Sequence, residues 1–94
     1  MVKHIVCFKL KEGESAEKAA EILRSMRGKV PEIIDMEVGL DFLKSARSYD
    51  VILQVTLKDE DALNSYQNDP YHCSVVKEHM HKVQENSVAV DYYI

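Results

Sequence analysis

Tyr66 and His72 stand on either side of the Asp69-Pro70 step, and they are the pair in this chain best suited to acid–base work. An imidazole titrates near neutrality and can remove a proton α to a carbonyl. A phenol can donate a hydrogen bond to the enolate oxygen that develops. An aspartate accepting from the imidazole would fix its tautomer and raise its basicity. Proline disfavours the α conformation in the residue before it, so Asp69 marks a helix break across which the two side chains can converge; a continuous helix would not guarantee that. The same residue types also have plainer uses. Tyr66 can be an aromatic core residue with a wet hydroxyl, and His72 a first-turn helix residue bonded to nearby backbone.

Other reactive side chains form no recognisable motif. His72 and His79 share a helix face, but Cys73 and His81 point elsewhere, and no C-x-x-C or H-x-x-x-H spacing appears to suit zinc. Cys7 and Cys73 fall in a strand-like and a helix-like run, which reads as two reduced, partly buried thiols.

The elements that must position Tyr66 and His72 follow from hydrophobic spacing. Val2, His4, Val6, Phe8 and Leu10 alternate with Lys3, Ile5, Cys7 and Lys9, a strand apolar on both faces in its middle. Ser15 is a suitable N-cap for a helix whose apolar side is Ala16, Ala19, Ala20, Leu23 and Met26, ended by Gly28 and Pro31. A second strand is expected to place Ile34, Met36, Val38, Leu40 and Phe42 inward, and a third Tyr49, Val51, Leu53, Val55 and Leu57. Asp59 caps a short helix with Ala62, Leu63 and Tyr66. Pro70 suits the first turn of another, with Cys73, Val76, Met80 and Val83 on its apolar side. A last strand is expected from about residue 87 to Ile94, with Val88, Val90, Tyr92 and Ile94 on one side; alternation alone sends Asp91 to solvent with Ala89 and Tyr93.

With 94 residues, no internal repeat and no linker, these elements read as one domain over residues 1–94. Their order, with right-handed crossovers, implies an α+β, ferredoxin-like βαββαβ fold: a four-stranded antiparallel sheet with all helices on one face. The other face would carry Ile5, Cys7 and Ile52, too apolar for water and too few to form a core. A second copy should therefore pack there sheet to sheet, giving a dimeric α/β barrel. A net charge of -4, with basic residues scattered among acidic ones, argues against nucleic acid and against an anionic membrane surface. No apolar run approaches the ~18 residues of a membrane span, and the N-terminus lacks a secretory hydrophobic region, so the expected location is cytoplasmic.

The opening Lys3-His4-Ile5-Val6, Tyr49 at the third strand, the segment Tyr66-Gln67-Asn68-Asp69-Pro70-Tyr71-His72 and the closing Asp91-Tyr92 together resemble the stress-responsive A/B barrel (Dabb) family over nearly the whole chain. That resemblance implies a homodimeric α/β barrel. It also implies a pocket between sheet and helices, used by a plant polyketide cyclase of the family that needs no cofactor. Tyr66 and His72 match the tyrosine and histidine acting on substrate there, His4 a pocket histidine on the first strand, and Asp91 a pocket aspartate. Two positions depart from the pattern: Val51 replaces a third-strand histidine, and Asp69 replaces the first histidine of a His-Pro-x-His segment. The resemblance further implies a cation, such as Mg²⁺, on the main-chain carbonyls of Arg27, Val30 and Ile33; these are oxygen donors of the kind a hard ion prefers.

Three functions are then open. The first is a homodimer binding a small apolar or aromatic molecule in a pocket lined by His4, Val6, Phe8, Val51, Leu53, Tyr66 and His72. The second is a cofactor-free cyclase, isomerase or lyase with His72 as base and Tyr66 as donor. The third is a structural dimer with no pocket. A ligand site is expected to offer ~300 Å³ or more.

Overall fold

Ser15 accepts a hydrogen bond from the backbone N–H of Lys18 and opens α1, Ala16–Arg24, in the computed structural model, which describes residues 1–94. Gly28, at φ +80°, then turns the chain with no Cβ to obstruct the left-handed conformation. The strands are β1 (Val2–Leu10), β2 (Asp35–Leu40), β3 (Val51–Leu57) and β4 (Gln84–Tyr93). Asp59 caps α2 (Glu60–Gln67) by accepting from the Ala62 N–H, and a π-helical segment, His72–Lys77, runs into α3 (Glu78–Val83). The sheet is antiparallel throughout in the order β2-β3-β1-β4. This is the ferredoxin-like α+β arrangement that the alternation of strands and helices implies.

The core lies between sheet and helices. Ala19, Ala20 and Leu23 of α1, Tyr66 of α2, and Val76, Met80 and Val83 bury against Val2, Phe8, Met36, Val38, Val51, Leu53, Val55 and Leu57. On the far face Ile5, Cys7 and Ile52 are half-buried, and the register aligns Cys7 with both Ile52 and Val88, and Ile5 with Val90. Val88, Val90 and Tyr92 stay open on that side.

Several local expectations shift. The second strand stops at Leu40, because Asp41 accepts from the Lys44 N–H and Lys44 takes a positive φ, turning the chain away; Phe42 is therefore exposed rather than inward, at 92%, Leu40 at the strand end is exposed too, and so is Ile34, which precedes the first strand residue, Asp35. Tyr49 lies outside β3, since the Asp50 carboxylate, not a strand carbonyl, accepts from the Leu10 N–H. Cys73 is exposed and His72 takes its inward place. A π turn is wider than the ~3.6 residues of an α turn, so the inward partner of Val76 sits four positions back, not three. Met26 lies beyond the end of α1, in the turn that follows, yet is fully buried. The last strand begins at Gln84, directly after α3, three residues earlier than the alternation suggests.

Candidate functional site

Antiparallel register sets the site. Residues directly opposite in such a pair project to the same face of the sheet, and β1 pairs with β4 so that His4 faces Asp91. His4 belongs to the helix-facing set of β1, so Asp91 is turned to the helices with Ala89 and Ser87. Its Oδ1 lies 2.5 Å from His4 Nδ1. A carboxylate can only accept, so Nδ1 carries a proton, and Nε2 is the nitrogen left outside that contact. Asp91 keeps 44% of its side chain in solvent while His4 keeps 7%, so the ion is hydrated and the imidazole is not.

Tyr66 comes from the last turn of α2 and His72 from the first π-helical turn beyond Pro70. The Asp69 carboxylate holds that turn by accepting from the His72 backbone N–H at 3.0 Å. The break folds the two side chains together, with ring centroids 4.4 Å apart, and His4 meets the same phenol edge-on at 5.6 Å. Tyr66 thus sits between two imidazoles. Burial pushes its phenol well above the ordinary range, so it stays protonated and a donor. His72 is lowered to about 4, first by burial and then by the charges of Lys77 and His4, with Asp69 opposing; at neutral pH it is an uncharged imidazole.

These side chains open on a cavity of about 220 Å³ between the sheet and the helices. Val6, Phe8 and Leu53 line it with His4, Tyr66 and His72; Leu23, Val76, Met80 and Ala89 complete the apolar part of its wall, and Gln67, Lys77, His81, Gln84 and Ser87 make the rest polar. Val51, expected in that wall, is instead packed in the core opposite Phe8 and Leu40, one strand pair further from the imidazoles. The volume is under the ~300 Å³ expected and admits only a compact molecule. The orienting carboxylate expected for a histidine base serves His4, not His72. Met26 was legible only as a core residue, yet its Sδ lies 3.1 Å from His72 Nδ1 and 3.9 Å from the Tyr66 hydroxyl. Nothing in its spacing, three positions beyond Leu23, marks it as more than core.

Arg27, Val30 and Ile33 lie in the turns between α1 and β2. The carbonyls of Arg27 and Ile33 accept no hydrogen bond, and that of Val30 accepts a long one, 3.3 Å, from the Ile33 N–H. In the same segment Glu32 Oε1 is buried without a partner. Free carbonyls and an orphaned carboxylate oxygen are the donor set a hard cation takes.

No helix is long and apolar enough to cross a membrane. Among curated proteins none matches the sequence. Solved structures do. A dimeric ferredoxin-like protein of unknown function from Thermobifida fusca is 23% identical over 99% of this chain and 90% of its own, with a TM-score of 0.85. A protein from Arabidopsis thaliana is 20% identical over 100% and 95%, TM-score 0.83. The hydroxynitrile lyase of Passiflora edulis is 19% identical over 99% and 92%, TM-score 0.83. At such identities the likeness establishes the fold. The profile of the stress responsive A/B barrel domain matches residues 2–94, and with the ferredoxin-like sheet it shows that the chain belongs to the stress responsive A/B barrel (Dabb) family.

Proposed function

We propose that this protein is a homodimer that binds a small, largely apolar molecule in the cavity between sheet and helices of each subunit. The observation that carries this reading is the convergence of His4, Tyr66 and His72 on one half-apolar cavity of about 220 Å³. A core without a ligand role would have no reason to collect three polar rings around a void, since close packing is the default for interiors. Dimerisation rests on the uncovered sheet face and on the dimeric state of the Thermobifida fusca relative. The test is an NMR titration with phenol as a compact aromatic probe. Resonances of His4, Tyr66 and His72 should shift together, and Tyr66→Phe, which removes one hydroxyl, should leave stability nearly intact and weaken binding about five-fold, the worth of one hydrogen bond. Shifts confined to other residues would move the site.

A second reading, cofactor-free proton transfer, is favoured by the 2.5 Å contact between His4 and Asp91. His4 Nε2 would take a proton from the bound molecule, Asp91 would stabilise the imidazolium so formed, and the Tyr66 hydroxyl would donate to the oxygen on which charge develops. His4, oriented by a carboxylate, suits the role of base better than His72, whose lowered basicity leaves it neutral but a weak proton acceptor. That the Passiflora edulis relative is a hydroxynitrile lyase is compatible with chemistry of this kind.

The same proposal includes a hard cation such as Mg²⁺ held by the carbonyls of Arg27, Val30 and Ile33, with the Glu32 carboxylate to balance its charge. Millimolar Mg²⁺ should then raise the melting temperature of EDTA-treated protein, as any ligand of the native state does, and Glu32→Gln should remove most of the rise. A melting temperature indifferent to Mg²⁺ would dismiss the cation.

A further inference from the structure

Met26 is fully buried, and its thioether is the one group in contact with polar atoms of both Tyr66 and His72. A thioether has no proton to give and accepts weakly. At 3.1 Å, an unprotonated Nδ1 would set its lone pair against those of the sulfur. The proton of the His72 ring therefore belongs on Nδ1, and Nε2 is left bare. His4 likewise has a proton on Nδ1, placed there by Asp91. Burial keeps the His72 ring uncharged at neutral pH, so it has one N–H to place and not two.

We infer that Met26 is a positioning residue that fixes His72 as its Nδ1–H tautomer, so that the cavity meets a ligand with an imidazole acceptor at His72 Nε2 and selects a compact, largely apolar molecule bearing a hydroxyl. This rests on the small-molecule reading above and narrows it from any small aromatic to one with a hydrogen to donate. Tyr66 supplies the one hydroxyl of the ring trio, and it faces sulfur at 3.9 Å, a weak bond readily exchanged for a ligand oxygen. A hydroxyl satisfies both demands at once: its hydrogen goes to an imidazole Nε2 and its oxygen accepts from Tyr66. An ether or a carbonyl of the same shape leaves the His72 acceptor without a donor.

Two measurements test this. The first reads the imidazole ¹⁵N shifts of the ligand-free, labelled protein at neutral pH. The proton of His72 is expected on Nδ1, and Met26→Leu, which keeps volume and removes the acceptor, is expected to shift it toward Nε2 while the His4 signals stay in place. The second compares phenol with anisole, which has the same ring and no donor. Phenol should bind ~10-fold more tightly, and the preference should shrink in Met26→Leu. A wild-type His72 protonated on Nε2, a tautomer untouched by Met26→Leu, or equal binding of the two probes would each overturn the inference. Should Met26→Leu fail to fold, the wild-type spectrum and the probe pair still decide. Binding of neither probe would remove the small-molecule reading and the ligand class with it, whereas the tautomer would still score the role given to Met26.

Discussion

Ile5→Asp is expected to turn the protein into a monomer at micromolar concentration. Ile5 is half-buried on the sheet face away from the helices, opposite Val90 on β4 and diagonal to Cys7, Ile52 and Val88. In a sheet-to-sheet dimer this cluster is the centre of the interface, and two-fold symmetry brings each substituted residue in twice. The nearest cation on that face of β1 is Lys3, two positions away. Desolvating a buried carboxylate costs several kcal/mol, so two of them should raise the dissociation constant ~1000-fold or more. Sedimentation velocity checks this, and circular dichroism of the variant checks that the helix-bearing face is intact. Ile52→Asp should do the same. A dimer unmoved by both substitutions would place the interface elsewhere, and a stable wild-type monomer at high concentration would end the dimer altogether.

Acidification between about pH 6.5 and pH 4 should destabilise the fold through His72, by about 3 kcal/mol in total. In the folded protein its pKa is lowered from 6.5 to about 4. Within that window the unfolded chain binds a proton that the native ring refuses. The contribution is thus complete above pH 6.5, falls as pH drops toward 4, and is gone below it. The size follows from about 1.4 kcal/mol per pKa unit. Burial is the main cause and Lys77 and His4 add to it, so the prediction stands on the ring being buried beside these two neighbours with only Asp69 in opposition. Urea denaturation of wild type and His72→Gln at pH 7, 5.5 and 4, at one fixed protein concentration, checks it. The wild-type free energy should fall over this range while that of His72→Gln stays flatter by about the same amount. Parallel curves for the two proteins would mean that the imidazole is solvated and the ring trio is not the closed site described above.

The elements themselves were legible because each rests on a local period. β1 alternates, α1 repeats at three and four behind a capping serine, and Asp59 and Pro70 punctuate the later helices. Order and period together lead to an antiparallel sheet with helices on one face, and a scarcely covered second face points to a partner of the same kind. Period fails where a segment is apolar on both sides or where the helix is irregular. Cys73 looked inward because an α turn was assumed, and the π turn presents His72 instead. Phe42 continues the alternation of β2 past the point where Asp41 and Lys44 turn the chain, and Ile34 extends it before the strand begins at Asp35.

The site was legible as residue types and not as partnerships. Tyr66 and His72 could be paired because they flank one proline. Asp91 could not be assigned to His4, since alternation in β4 has two faces and the more apolar one, Val88, Val90 and Tyr92, is the natural choice for the inside. It faces the other way because the open face of the sheet is itself an apolar surface, and because β4 enters in a register that sets Asp91 against His4. Nor could the sequence place a thioether against an imidazole, as Met26 and His72 meet only when the turn after α1 packs beneath the π-helical turn. Residue types and periods belong to short stretches of chain and survive in a single sequence. Which carboxylate meets which imidazole, and which nitrogen then faces the ligand, depends on register between strands at opposite ends of the chain, and only the folded sheet decides that.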